Sequence, residues 1–286
     1  MNSAWFFMKF PINNEALEKE VRHALEEDVG SGDITAGLIP EDKRCKAKLI
    51  SREHAVIAGR PWFDKVFERV DPRVQIQWHL DEGDAVSAGA LLCSLNGPAR
   101  SILTAERTAL NFLQTLSGTA TSVNEYVELL KGTRTQLLDT RKTLPGLRHA
   151  QKYAVRVGGG VNHRIGLYDT VLIKENHIAS AGSIQAAVDQ ARAQGKSDFI
   201  EVEVEDLQQL EEALTAKVDR VLLDNMGVAM LRKAVEQTRG RADLEASGNI
   251  DQDNIRDIAA TGVDFVSLGT ITKNLRAIDL SLRIVE

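Results

Sequence analysis

Beyond Gly132 the chain settles into a repeating rhythm of short apolar run followed by amphipathic stretch, and this rhythm restricts the fold more than any other feature. Strands are predicted at 136–140, 170–174, 199–204, 220–224, 244–247 and 265–268, with helices such as 184–194, 207–215 and 228–237 between them. Strand–helix alternation at this spacing implies a parallel sheet. Val171-Leu172-Ile173 and Val221-Leu222-Leu223 are apolar throughout, as expected of strands covered on both faces. Six such units fall short of the eight strands and roughly 250 residues of a full barrel. The expectation is an incomplete six-stranded β/α barrel over residues 132–275, or failing that an open sheet.

Residues 1–131 read as a separate domain. An amphipathic helix is predicted from Asn13 to about Gly30, capped by Asn13 or Asn14, with Leu17, Val21, Ala24 and Leu25 on one face. Strands follow at 47–57, 74–80 and 90–95, with a short helix near 62–70. A long helix is predicted over 98–130, interrupted near Ser117-Gly118. Near the C-terminus Ile278, Leu280, Leu282 and Ile284 alternate with period two, so residues 276–286 are expected to return as a strand to the first domain.

Composition narrows the function classes. With 43% hydrophobic and 27% charged residues the chain can fill an ordinary core, and a net charge of −6 opposes general nucleic-acid binding, which needs a basic surface. Two cysteines, Cys45 and Cys93, are too few for a disulfide framework and lack metal-ligand spacing, which suits a reducing, cytoplasmic compartment. Trp5-Phe6-Phe7-Met8 lacks a basic flank and is cut short by Lys9 and Pro11, so it does not read as a signal peptide. No apolar run approaches the roughly 20 residues that span a bilayer, so no membrane partner is expected. The turns around Glu82-Gly83-Asp84 and Ala88-Gly89 suggest a lipoyl- or biotinyl-type carrier hairpin, but no lysine lies between Arg73 and Arg100 to carry the group.

Ligands of parallel sheets and barrels sit beyond the C-terminal strand ends. The predicted ends carry Asp139-Thr140-Arg141-Lys142, Lys174-Glu175-Asn176-His177, Glu201, Glu203 and Glu205, Asp224-Asn225, Ser247-Gly248-Asn249, and Gly269-Thr270. Between Arg134 and Lys174 lie eight Lys and Arg against Asp139 and Asp169, a basic island in an acidic chain. Such a concentration points to an anionic small molecule, and arginine forks match carboxylates two bonds at a time. Arg141, Lys142 and Lys174 are read as site residues. Arg148, Lys152 and Arg156, spaced by four, are read instead as a solvated helix face. His163-Arg164 could be a loop pair or part of the site, and Gly158-Gly159-Gly160 carries no dinucleotide signature. Glu203 and Asp224 are candidates for magnesium or ribose hydroxyls, with a buried ion pair as the alternative. Ser247-Gly248-Asn249 and Leu268-Gly269-Thr270 are candidate phosphate nests. A Schiff-base lyase using Lys142 or Lys174 is the rival chemistry.

Several blocks, in order, make the chain resemble the quinolinate phosphoribosyltransferases along nearly its whole length. They are Glu27-Asp28-Val29-Gly30-Ser31-Gly32-Asp33-Ile34-Thr35, Ala105-Glu106-Arg107-Thr108-Ala109-Leu110-Asn111, Asp139 through Arg148 (DTRKTLPGLR), and Gly159-Gly160-Val161-Asn162-His163-Arg164. The resemblance implies an N-terminal α/β sandwich, an open six-stranded barrel, Mg²⁺ as cofactor, and a homo-oligomer whose sites lie between subunits. It implies that phosphoribosyl pyrophosphate and quinolinate give nicotinate mononucleotide, pyrophosphate and CO₂, although a paralogue with another acceptor would share much of the pattern. On this footing Arg141, His163, Arg164, Lys174 and a neighbouring subunit's Arg107 hold the carboxylates, with Thr140 adding a hydrogen bond. Lys142 faces the diphosphate, Glu203 and Asp224 the ribose and magnesium, and the Ser247 and Gly269 loops the phosphate. Nothing in the helix itself marks Arg107.

Overall fold

The structure is a computed structural model that describes residues 12–285, so the apolar segment around Trp5 lies outside the described residues. In chain order the first half runs α1 (Asn14–Asp28), β1 (Arg44–Ser51), β2 (Ala55–Val56), α2 (Arg60–Val70), β3 (Gln75–Trp78), β4 (Ala85–Val86), β5 (Leu91–Pro98) and α3 (Ala99–Leu130). Next come β6 (Gln136–Leu138), α4 (Arg148–Val157), β7 (Val171–Ile173), α5 (Glu175–Ala181), α6 (Ile184–Gln194) and β8 (Ile200–Val204). The rest is α7 (Leu207–Thr215), β9 (Arg220–Asp224), α8 (Val228–Thr238), β10 (Asp243–Ser247), α9 (Ile255–Ala259), β11 (Phe265–Ser267), α10 (Thr270–Lys273) and β12 (Leu280–Val285).

Two compact units emerge. In the first, residues 143–159 and 272–285 join residues 12–124. Its antiparallel sheet has the order β12-β1-β5-β3, so the expected C-terminal strand does return, pairing Leu49 with Leu282 and Ala47 with Ile284. The predicted strand 47–57 is two strands, because residues 52–54 leave the ladder before the short β2 pairs with β4. Helix α1 is capped as predicted, the Asn13 side chain accepting from the Ala16 N–H at 3.0 Å. Trp62, Phe63, Phe67 and Leu49 fill the core, and the Trp62 ring meets Tyr153 of α4 at 5.1 Å between centroids.

Two expectations for this unit are corrected. Helix α3 is continuous through Ser117-Gly118. Gly118 is there for a close approach: a Cβ would lie 2.2 Å from the carbonyl oxygen of Arg276. The basic face of α4 is not solvated either. Lys152 is only 3% exposed, and Arg148 is half-buried with its Nε donating to the Thr143 hydroxyl at 3.0 Å. The cause is that α4 is enclosed nearly all round: Ala150, Tyr153 and Ala154 sit in the core, and Gln151 ties down Leu144 N–H and Thr272 C=O.

The second unit, residues 125–142 and 160–271, is the parallel barrel layer. Its sheet order is β6-β11-β10-β9-β8-β7, every pairing parallel. The first strand thus pairs with the last, while β6 and β7, consecutive in sequence, are the two edges of an open barrel. Helices α6 and α7 have the predicted limits, and each is capped by the residue before it, Ser183 and Asp206. The edge of β6 is extended only by Val161, which bridges Leu138 and exchanges backbone bonds with Leu137 and Asp139.

Replacing Gly118 by Ala tests the close approach. Alanine favours a helix interior by about 1 kcal/mol, but overpacking against a backbone carbonyl costs about 1–3 kcal/mol. The expected result is a net loss of stability in chemical denaturation. A stabilised variant would contradict the contact.

Candidate active site

The site grows from Asp139, the first residue past β6, whose carboxylate is fully buried. One oxygen accepts from the His163 backbone N–H at 2.8 Å and the other from the Asn162 side-chain amide at 2.7 Å. With the Val161 bridge, these bonds fasten residues 161–164 beside the end of β6. Arg164 therefore stands next to Arg141. Burial, and then the charge of Arg141, lower the Arg164 pKa, while Glu201, Asp169 and Glu203 act the other way. Two guanidinium groups held together in a half-buried place are a ready receptor for an anion.

The remaining strand ends contribute around them. Lys174, at the end of β7, is bonded through Nζ to Glu203 of β8. Its backbone N–H donates to His177 Nδ1 at 2.9 Å, fixing the start of α5. Thr140 accepts the Lys142 N–H at 3.0 Å. Gly269, after β11, makes room for both: a Cβ there would sit 2.6 Å from the Lys142 chain and 3.3 Å from the Thr140 hydroxyl. Asp224 accepts from the Asn225 amide at 2.8 Å, and Asn249 donates to Asn225 at 3.0 Å. Asn225 and Asn249 both have positive φ, and the adjoining Gly248 is needed because a Cβ would lie 2.1 Å from Asn225 Oδ1.

Most predicted residues are therefore at strand ends of one parallel sheet. The phosphate candidates are partly committed elsewhere: the Ser247 carbonyl accepts from Asn225 N–H, and Leu268 is buried with its N–H paired to Leu138. Gly269 and Thr270 keep the position expected of a close-approach turn. Arg107 lies exposed on α3 in the other unit.

Sequence reasoning missed what lies beneath the site. Glu201 and Glu245 are 0% and 1% exposed, facing each other inside the barrel. Burial raises both carboxyls, Glu245 to about 8 with Glu201 as the next cause. Two dry carboxyls side by side oppose each other's ionisation, which adds to the effect of burial on Glu245. Arg220 closes the layer below, its Nη1 3.6 Å from Glu245 and its guanidinium 4.0 Å from the Phe265 ring centroid. The period-two glutamates of β8 were the available signal. Asp139 had none beyond its place in a recognisable block.

Comparison with known proteins decides the family. Residues 33–117 match the quinolinate phosphoribosyl transferase N-terminal domain, and residues 119–283 match the C-terminal domain. The chain belongs to the quinolinate phosphoribosyltransferase family. It is 39% identical over 289 residues to the mitochondrial quinolinate phosphoribosyltransferase (decarboxylating) 2b of Nicotiana tabacum, covering 94% of this chain and 82% of that one. The structure of the nicotinate-nucleotide pyrophosphorylase from Francisella tularensis superposes with a TM-score of 0.94 at 49% identity, covering 97% and 99%. That from Ehrlichia chaffeensis gives 0.89 at 39%, covering 93% and 98%.

Removing the clamp should register in stability. Asp139→Asn sets an amide N–H₂ against one of two buried donors, a conflict of about 1–3 kcal/mol. Urea unfolding is expected to show that loss. Stability within about 0.5 kcal/mol of wild type would mean that residues 161–164 are held by something else.

Proposed function

We propose that the protein transfers the phosphoribosyl group of phosphoribosyl pyrophosphate to the ring nitrogen of quinolinate, releasing pyrophosphate and CO₂ and leaving nicotinate mononucleotide. The observation that carries this reading is the meeting of Arg141 and Arg164, with Glu203 near Arg164 and bonded to Lys174, a basic set suited to an acceptor with two carboxylates. The pyridine nitrogen brings its own lone pair to C1 of the ribose, and the C1–O bond to pyrophosphate breaks with its electrons leaving on oxygen. No side-chain nucleophile is required, so positioning and electrostatics carry the rate. Once ribosylated, the ring is a pyridinium whose positive nitrogen stabilises the electron pair left on C2 as CO₂ departs, and a proton from solvent then takes that position.

Each residue then has a task. Arg141 and Arg164, both half-buried, hold the carboxylates, with Thr140 and His163 beside them. Lys174 joins them from the other edge of the sheet while tethered to Glu203. Lys142, exposed and packed over Gly269, faces the diphosphate. Glu203 and Asp224 receive the ribose hydroxyls and offset positive charge developing on the sugar, while the loops at Ser247-Gly248-Asn249 and Leu268-Gly269-Thr270 take up phosphate.

Mg²⁺ fits this donor set. Glu203 and Asp224 present hard carboxylate oxygens near strand ends, each with only one oxygen bonded by a neighbouring side chain, Lys174 and Asn225 respectively. Magnesium uses one or two carboxylates and completes its shell with water and substrate phosphates. When bound, it neutralises diphosphate charge. A Schiff-base lyase would need an amine lone pair free to attack, and Lys174 is ion-paired instead. We place the activity in the cytoplasm, where Cys45 and Cys93 remain free thiols. Among the described residues no helix is long and apolar enough to cross a membrane.

Product analysis with quinolinate, phosphoribosyl pyrophosphate and Mg²⁺, run beside nicotinate, should show nicotinate mononucleotide and CO₂ from quinolinate alone. Arg141→Ala and Arg164→Ala should each weaken quinolinate binding by over tenfold, about 1.4 kcal/mol. Product from nicotinate only, or unchanged affinity in both variants, would overturn the pocket.

The working unit in this proposal is a homodimer or larger ring in which Arg107 completes a neighbour's site. Arg107→Ala and Arg141→Ala should each be nearly inactive alone. Mixed and reassociated, they should regain a substantial fraction of wild-type activity, because some sites then contain both arginines. Failure of mixtures that demonstrably exchange subunits would place Arg107 in its own chain's site or outside any site.

A further inference from the structure

His163 stands between the carboxylate layer and the arginine pair. Its side chain is 9% exposed, with Nε2 2.9 Å from Glu201 Oε2 and 3.5 Å from Glu245 Oε2. On the opposite side of the ring, Nδ1 accepts the backbone N–H of Arg164 at 2.7 Å. A backbone amide can only donate, so Nδ1 carries no proton and the ring proton of this neutral tautomer is on Nε2, the atom nearest the two glutamates, whose facing oxygens lie close to it without accepting a hydrogen bond. His163, Glu201 and Glu245 are close enough together to suggest a metal site. The tautomer argues otherwise: coordination through Nε2 would strip the ring of its last proton, and Arg220 already places a cation 3.6 Å from Glu245. What remains is a strut. It starts at Arg220 on the Phe265 ring, passes through two buried carboxyls and an imidazole, and ends on the main chain of Arg164.

We propose that Glu201 and Glu245 are positioning residues for the acceptor, holding His163 and, through it, the Arg164 main chain in the geometry that receives a carboxylate. This rests on the reading that Arg164 binds quinolinate. Neither glutamate touches a substrate in that reading; Glu203, one pleat higher on β8, does. Groups that must hold a binding constellation in place work when their own orientation is locked from behind.

The test is quinolinate binding by calorimetry on the full chain without phosphoribosyl pyrophosphate, together with the KM for phosphoribosyl pyrophosphate. Glu201→Leu should weaken quinolinate binding at least tenfold and leave the phosphoribosyl pyrophosphate KM within about twofold. Glu201→Gln, which keeps the side chain's size and an oxygen able to stand beside Nε2, should recover most of the loss. In a double-mutant cycle, Glu201→Leu with His163→Ala should lose no more than His163→Ala alone, since one strut broken twice is broken once. Glu245→Leu gives the same pattern with a smaller loss, threefold or more, and serves if Glu201→Leu does not fold. Equal losses for both substrates, multiplying losses in the cycle, or quinolinate binding unchanged in every variant would overturn the proposal. Absence of quinolinate binding by the wild-type protein would instead overturn the functional reading beneath it.

Discussion

The Asp139 carboxylate is the interaction on which the site depends. An open six-stranded barrel has two edges, and an edge strand offers unpaired backbone groups rather than a pocket. Asp139 turns one of those edges into a wall by fastening Asn162 and the His163 main chain, after Val161 has extended the ladder by one bridge. Without this clamp Arg164 would hang from a loop following a run of glycines. With it, two guanidinium groups face the same volume, and their mutual repulsion is relieved when an anion enters.

The barrel interior is polar to an unusual depth. Interiors of parallel barrels are commonly filled by branched apolar side chains. Here the middle layer is Glu201, Glu245 and His163, closed below by Arg220 and two phenylalanine rings. Burying such groups destabilises a fold unless each is matched, and here both Glu201 oxygens and Glu245 Oε2 accept no hydrogen bond, so the layer is held at a cost in stability. Burial opposes ionisation of both glutamates, which limits the negative charge held beneath the arginines.

How much of this was legible in the chain follows from which forces are local. Helices α6 and α7 have the limits their periodicity and caps predict, because Ser183 and Asp206 act within one turn. Each barrel strand lies where a short apolar run marked it, give or take two residues at its ends. Gly118 was read as a helix break because glycine disfavours helices, but the demand on it comes from Arg276, remote in sequence. Lys152 looked solvated because charges spaced by four usually are, and only the surrounding core shows otherwise. Asp139, Glu201 and Glu245 are acids whose partners come from other strands, so single-chain patterns could mark β8 as unusual without saying what its inner glutamates hold. The roles proposed for the site residues rest on the motif blocks more than on residue chemistry alone.

The sheet order has a bearing on when the protein becomes able to work. Strand β6 finds its partner only in β11, the last strand of the barrel to be synthesised, whereas β8, β9 and β10 pair with near neighbours in sequence. Pairings between distant segments are made late, because the loop must close before any contact rewards it. The packing of Lys142 and Thr140 over Gly269 joins these same two segments. A partly folded chain can thus own most of its helices and its middle strands while lacking the turn at which Lys142 and Thr140 pack over Gly269.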